Sequence, residues 1–158
     1  MYKTMSERPT FYYNRQEIRG SGILFYYLYR GRRFYLFRRE HGRWCDIGGK
    51  TDQRDKSPLE TAVRECCEET NGHMFDERHS KVECYEECMR LIRRDQPVVL
   101  YSPRAKYLVH VVRISPELGR NMKRFGRIET HTNQKHFFKF MTVPYRIHPR
   151  LWKIKNQL

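Results

Sequence analysis

The chain has 158 residues, 39% hydrophobic and 14% aromatic, enough for one folded domain with a real core. Thirty-two Lys and Arg against 18 Asp and Glu leave a net charge of +14, a surface suited to polyanions such as RNA, DNA, nucleotides, inositol phosphates or an anionic membrane face. No apolar run reaches the roughly 20 residues of a membrane helix, MYKTMSERPT carries no apolar signal segment, and five cysteines, Cys66 and Cys67 adjacent, make a poor disulfide framework. The expectation is a protein of the reducing cell interior, cytoplasmic or nuclear.

Residues 1–20 read as an N-terminal arm or edge strand with Phe11, Tyr12 and Tyr13. Gly22 to Tyr29 (GILFYYLY) is an apolar run of strand length. Arg30-Gly31-Arg32 reads as a tight turn into a returning strand, RFYLFR, and so as a hairpin. Trp44 to Ile47 is a short strand entering Gly48-Gly49. Ser57-Pro58-Leu59-Glu60 then combines an N-cap serine, a proline at the first helical position and a glutamate placed for a capping box. Leu59, Ala62, Val63 and Cys66 follow as an apolar stripe, and Asn71-Gly72 stops a helix of about four turns.

Beyond it, His79 to Arg94 is open between helix and strand. Val98 to Tyr101 and Ala105 to Ile114 read as strands, Ser115-Pro116-Glu117 as the start of a short helix, 120–133 as a polar loop and 149–157 as a closing helix. Gln134 to Val143 is not assignable. There is no repeat or domain-splitting linker, so residues 1–158 are expected to form a single α+β domain, a helix–sheet–helix sandwich. Basic residues cluster at Arg30 to Arg33, Arg38-Arg39, Arg93-Arg94, Lys123 to Arg127 and Arg146 to Lys155; a merely solvated face is the alternative reading.

Against this basic background, the helix after Ser57 carries Glu60, Glu65, Glu68 and Glu69. At 3.6 residues per turn Glu65, Glu68 and Glu69 share one sector beside the apolar stripe. Glu60 can pair with Arg64, and Arg64 can reach Glu68, which leaves Glu65 and Glu69 uncompensated. A hard divalent cation relieves that repulsion, and Mg²⁺ favours one or two carboxylates completed by water and phosphate oxygens. Cys84 and Cys88, with Cys66, Cys67, His73 and His79, lack the paired spacing of a zinc site and read as free thiols.

The segment Gly48 to Gly72 resembles the box of the Nudix hydrolases, G-x5-E-x7-R-E-U-x-E-E-x-G-U. The likeness is dense at Arg64-Glu65-Cys66-Cys67-Glu68-Glu69 and extends to Gly48-Gly49, Ser57-Pro58 and Ala62. It implies a Nudix-like α/β/α sandwich with a mixed sheet. It implies too that Glu65, Glu68 and Glu69, with the Gly49 backbone, hold catalytic Mg²⁺ or Mn²⁺, while Arg64 orients a carboxylate. The box departs from the pattern in three places. Lys56 stands eight positions before Arg64, where a glutamate is expected. The loop from Gly49 is one residue longer, and Asn71 precedes the displaced Gly72.

The resemblance further implies hydrolysis of a nucleoside diphosphate linked to another moiety, with Glu68 or Glu69 as base, or a later-loop residue, Glu129 ahead of Glu117. Substrate choice lies outside the box. The charge of +14 favours the 5′ cap of mRNA, with RNA as partner. Oxidised nucleoside triphosphates, dinucleoside polyphosphates, ADP-ribose and inositol pyrophosphates are the alternatives. Arg15, Arg19, Arg38, Lys50 and Tyr107 are the expected substrate contacts. A noncatalytic nucleotide- or RNA-binding module on the same fold is the reading from another class.

Overall fold

The computed structural model describes residues 7–122 and 137–158. Strands β1 (Phe11–Tyr13) and β2 (Gln16–Ile18) form a small hairpin of their own, so the N-terminal arm pairs with itself. β3 (Gly20–Tyr29) and β4 (Arg32–Glu40) are joined through Arg30 and Gly31, whose φ angles of 48° and 73° give the positive-φ turn that matches strand twist. β5 (Arg43–Cys45), β6 (Ile47–Lys50), β7 (Val98–Ser102), β8 (Tyr107–Arg113) and β9 (Phe137–Met141) complete one sheet of order β5-β4-β3-β8-β7, with β6 on β3 and β9 on β4. The β3–β8 pair is parallel and the others antiparallel, so the sheet is mixed.

The apolar run of β3 has no polar alternation because both faces of the sheet are covered. Ile23 and Phe25 point to one side, where they meet Ala62, Val63, Cys66 and Cys67 of α1 (Pro58–Glu69) and Cys84, Cys88 and Ile92 of α2 (Lys81–Asp95). Leu24 points to the other, where it shares a core with Tyr35, Phe37, Ile147, Leu151 and Ile154. This is the α+β sandwich.

The ambiguous stretch 79–94 is helical. Ser80 accepts from the Glu83 amide at 3.1 Å and Glu83 answers to the Ser80 amide at 3.2 Å, closing a capping box. At α1 the Ser57 hydroxyl accepts from the Glu60 amide at 3.2 Å, half of the expected box. α3 (Pro116–Met122) follows β8, and β9 occupies the stretch that sequence left unassigned.

Two expectations need correction. Residues 149–157 are not one helix but two single 3-10 turns, Pro149–Leu151 and Lys155–Gln157. The His148 ring accepts from the Arg150 amide at 3.1 Å and the Trp152 indole donates to the Ile147 carbonyl at 3.0 Å, which ties the segment back on itself. Trp44 to Ile47 is not one strand either: β3 and β4 diverge, β5 follows β4 and β6 follows β3, and Asp46 sits in the break. That break, under the acidic end of α1, is where the charged groups gather.

Candidate active site

α1 lies across β3 and β6, so its polar face looks over the Gly48-Gly49 strand. Arg64 is the hub of that face. Its guanidinium binds both oxygens of Asp55, at 2.9 and 3.1 Å, and reaches Glu65 at 3.3 Å, Glu68 at 3.1 Å and the Lys50 carbonyl at 3.0 Å. Glu60 is not among these partners, because the buried Asp55 carboxylate offers a bidentate fork. Asp55 is itself fixed by the Asp52 amide and the Thr61 hydroxyl, both at 2.8 Å.

Asp55 changes the meaning of Lys56, which is exposed. Counted forward from Gly49, five residues (50–54) precede Asp55, so the acidic position of the box falls on Asp55 and the extra residue follows it. Counting back from Arg64 hides this. The outer carboxylate is present and is an aspartate.

Glu69 was expected to lack a cation, yet Arg38 of β4 lies 3.2 Å from it, an ion pair without the alignment of a hydrogen bond. Arg38 also donates to Glu40 at 2.9 Å and is buried. Clamped between two carboxylates, it is not free as a substrate contact, which corrects that expectation. Burial pushes the Glu69 carboxyl up to about 8, against the pull of Arg38. Burial also raises Glu65. Gly49 is needed here because a Cβ would stand 2.6 Å from the Glu65 carboxyl.

These features fit a hard divalent cation. The donors are all carboxylates, two carry protonation raised by burial, and the Glu69 Oε2 is buried without a hydrogen bond. Among the described residues no group of three or more His, Cys, Asp or Glu side chains is placed to hold a metal ion as the side chains stand. An open site of carboxylates completed by water and phosphate oxygens is the arrangement Mg²⁺ prefers.

Across β6 the charge reverses. Asp46, fully buried, accepts from the Tyr107 hydroxyl at 2.6 Å and from Arg150 Nε at 2.8 Å. The Arg150 guanidinium stacks over the Tyr107 ring, 4.6 Å from its centroid. Gly22 and Gly48 leave room for this network, since a Cβ on either would overlap Asp46 or the Tyr107 hydroxyl. Beside it opens a cleft of about 410 Å³ whose charged and titratable lining residues are Arg8, Arg19, Lys50, His148 and Arg150. Among the described residues no carboxylate lines it.

Of the expected substrate contacts, Arg19, Lys50 and Tyr107 line this cleft, although the Tyr107 hydroxyl is committed to Asp46. Arg15 sits at the β1–β2 turn, outside the lining. Glu129 lies outside the described residues, while Glu117 is in the first turn of α3 and faces Arg120 at 3.6 Å. Asp46, Asp55, Arg8, His148 and Arg150 were not anticipated. Forward counting could have found Asp55; the pairing of Asp46 with Arg150, 104 residues apart, leaves no local trace. The cysteines are buried free thiols, with Cys67 Sγ 3.1 Å from Cys84 Sγ.

A mixed sheet carrying a glycine strand beneath an Arg–Glu helix, with a cationic cleft alongside, defines a hydrolase of phosphate anhydrides. The family model of the NUDIX domain matches residues 19–155, and the chain belongs to that family. It is a Nudix hydrolase, an enzyme that cleaves phosphoanhydride bonds, and hydrolases of that family generally use divalent metal ions. Among solved structures it is similar to the C. elegans Ap4A hydrolase, with 14% identity over 79% of this chain and 80% of that one and a TM-score of 0.40. A binary complex of the C. elegans Ap4A hydrolase matches with 14% identity over 78% and 79% and a TM-score of 0.43. No curated protein sequence matches the chain. No helix among the described residues is long and apolar enough to cross a membrane.

Proposed function

We propose that this enzyme cleaves the polyphosphate bridge between a nucleoside and a second moiety, and that the 5′ cap of RNA is its substrate. One observation carries the reading: the cation-lined cleft abuts the same Gly49-Lys50 strand that faces Glu65. A bridge with phosphates on both sides of the scissile bond can place one phosphate at the carboxylates and the next among Arg19, Lys50 and Arg150. The net charge of +14 favours a substrate continued by an RNA strand over a free nucleotide. Free dinucleoside polyphosphates share the bridge chemistry and are the second reading.

Glu65, Glu68 and Glu69, with the Gly49 carbonyl nearby, would hold Mg²⁺ or Mn²⁺. When bound, the ion supplies Lewis-acid stabilisation of charge on the bridge. Arg64 keeps Glu65 and Glu68 turned to one side through its anchor on Asp55. Arg38 limits the negative charge around Glu69. Glu68, the more exposed of the trio, is the carboxylate best placed to take a proton from water, with Glu69 or Glu129 as the other candidates. Lys50 and Arg19 orient the bridge and balance its charge.

The test is a panel of cap-labelled RNA, diadenosine polyphosphates, ADP-ribose and inositol pyrophosphates with Mg²⁺ or Mn²⁺. Release of a nucleoside diphosphate from capped RNA is expected, with kcat reduced about 10²- to 10⁴-fold in Glu68→Gln or Glu69→Gln. Turnover of free dinucleotides with capped RNA left intact would move the substrate to the second reading. Absence of turnover across the panel, with RNA still bound, would favour a binding module instead.

A further inference from the structure

A second groove, of about 360 Å³, opens between the β4–β5 turn and the C-terminal segment, lined by Arg43, Tyr145, Arg146 and Trp152. Tyr145 is fully exposed and Trp152 is 44% exposed, although neither is needed to cover the core. A single exposed aromatic is ordinary; two on one groove, interleaved with arginines, form a surface chemically matched to stacked bases and their phosphates. The Arg43 guanidinium lies 5.9 Å from the Trp152 ring centroid. The indole nitrogen is spent internally on the Ile147 carbonyl, so the ring's remaining use is its apolar face.

The support is rigid. Trp44 donates to the Arg146 carbonyl and His148 to the Trp44 carbonyl, each at 2.8 Å, pinning 146–148 against β5. Charge is one-sided too: residues 137–158 contain Lys139, Arg146, Arg150, Lys153 and Lys155 and no Asp or Glu. The same segment turns from this groove into the cationic cleft, which His148 and Arg150 line.

We propose that Tyr145 and Trp152, with Arg43 and Arg146, form a stacking site for single-stranded nucleic acid leading into the catalytic cleft. The aromatic faces take bases, and Arg43, Arg146, Lys153 and Lys155 take phosphates. The site rests on the proposed function only in that the strand's polyphosphate end is the substrate, so binding is measured apart from turnover.

Fluorescein-labelled RNA and DNA oligonucleotides of about ten residues, about one site size of a stacking groove, are titrated with the full chain and followed by anisotropy. Tyr145→Ala is expected to weaken binding about ten-fold, the order of one lost base–ring stack, and Trp152→Ala similarly. Trp152→Phe, which keeps a ring, recovers most of the loss. Heparin, a polyanion without bases, is expected to bind both ring variants like wild type. A preference for the RNA over the DNA oligonucleotide would identify the strand as RNA; equal affinities would identify single strands in general. Because Tyr145 is wholly in solvent, its removal leaves the packing intact. Unchanged oligonucleotide affinity in Tyr145→Ala and Trp152→Ala, alongside a loss in Arg146→Gln, would overturn the proposal in favour of a purely electrostatic face. So would phosphatidylserine vesicles that bind as tightly and respond to the same ring substitutions. Glu68→Gln separates the two readings: turnover lost with strand binding retained concerns the chemistry alone.

Discussion

Two buried arginine–aspartate pairs flank strand β6, and they do opposite things. Arg64 binds Asp55 and then two further carboxylates, Glu65 and Glu68, so its surroundings stay acidic. Among the described residues Arg150 pairs with a single carboxylate, Asp46, which also accepts from Tyr107, and the adjoining cleft is lined by Arg8, Arg19, Lys50 and His148 as well. The geometry of each pair is similar, with side-chain exposures of 13% and 3% on one side and 14% and 0% on the other. What differs is the number of carboxylates per guanidinium. That ratio makes one bank of the strand a place for a cation and the other a place for phosphate.

The comparison is broken most severely by removing an anchor. Asp46→Ala leaves Arg150 buried without a counter-charge and is expected to cost about 3–5 kcal/mol in denaturant unfolding. Asp55→Ala is expected to cost less, about 1–3 kcal/mol, because Arg64 keeps Glu65 and Glu68. Equal losses would mean that the extra carboxylates do not share the charge.

A smaller effect comes from pH. His110 lies behind Asp46, its ring 3.2 Å from the Gly22 carbonyl and 3.3 Å from the Ser21 hydroxyl. Burial holds it below its ordinary 6.5. A histidine depressed in the folded state contributes its stability in full above the unfolded value and loses it as pH falls below about 6.5. His110 therefore pulls the melting temperature down on acidification through that point while the raised Glu69 carboxyl pulls it up, so the check is a difference: the melting temperature of wild type relative to His110→Gln should fall as pH drops through about 6.5. His148 is also held low by burial, so some dependence will survive in the single variant.

The smallest expected effect is the most pointed. Restoring the box glutamate with Lys56→Glu should leave kcat unchanged and stability within about 0.5 kcal/mol, as for an ordinary surface site. Asp55 already fills the Arg64 fork. A clear gain in turnover would show that the aspartate is an inadequate substitute.

Much of this molecule was legible locally. The α1 start at Ser57-Pro58, its apolar stripe, the hairpin at Arg30-Gly31 and the cluster Glu65, Glu68 and Glu69 each follow from steric or periodic rules acting over a few residues. The stretch 79–94 stayed open between helix and strand, although Ser80 and Glu83 stand three apart as a capping box requires. The 3-10 character of 149–157 was not legible, because it depends on contacts of His148 and Trp152 with their own segment.

The sequence by itself determined the acidic helix and the basic excess, since spacing along a helix and composition need no tertiary contact. Only the tertiary structure decided that Arg38 answers Glu69, that Asp46 holds Arg150, and that Arg8, Arg19, Lys50, His148 and Arg150 converge on one cleft. The physical reason is range: periodicity places a side chain on a face, but which charge it meets depends on where distant strands diverge.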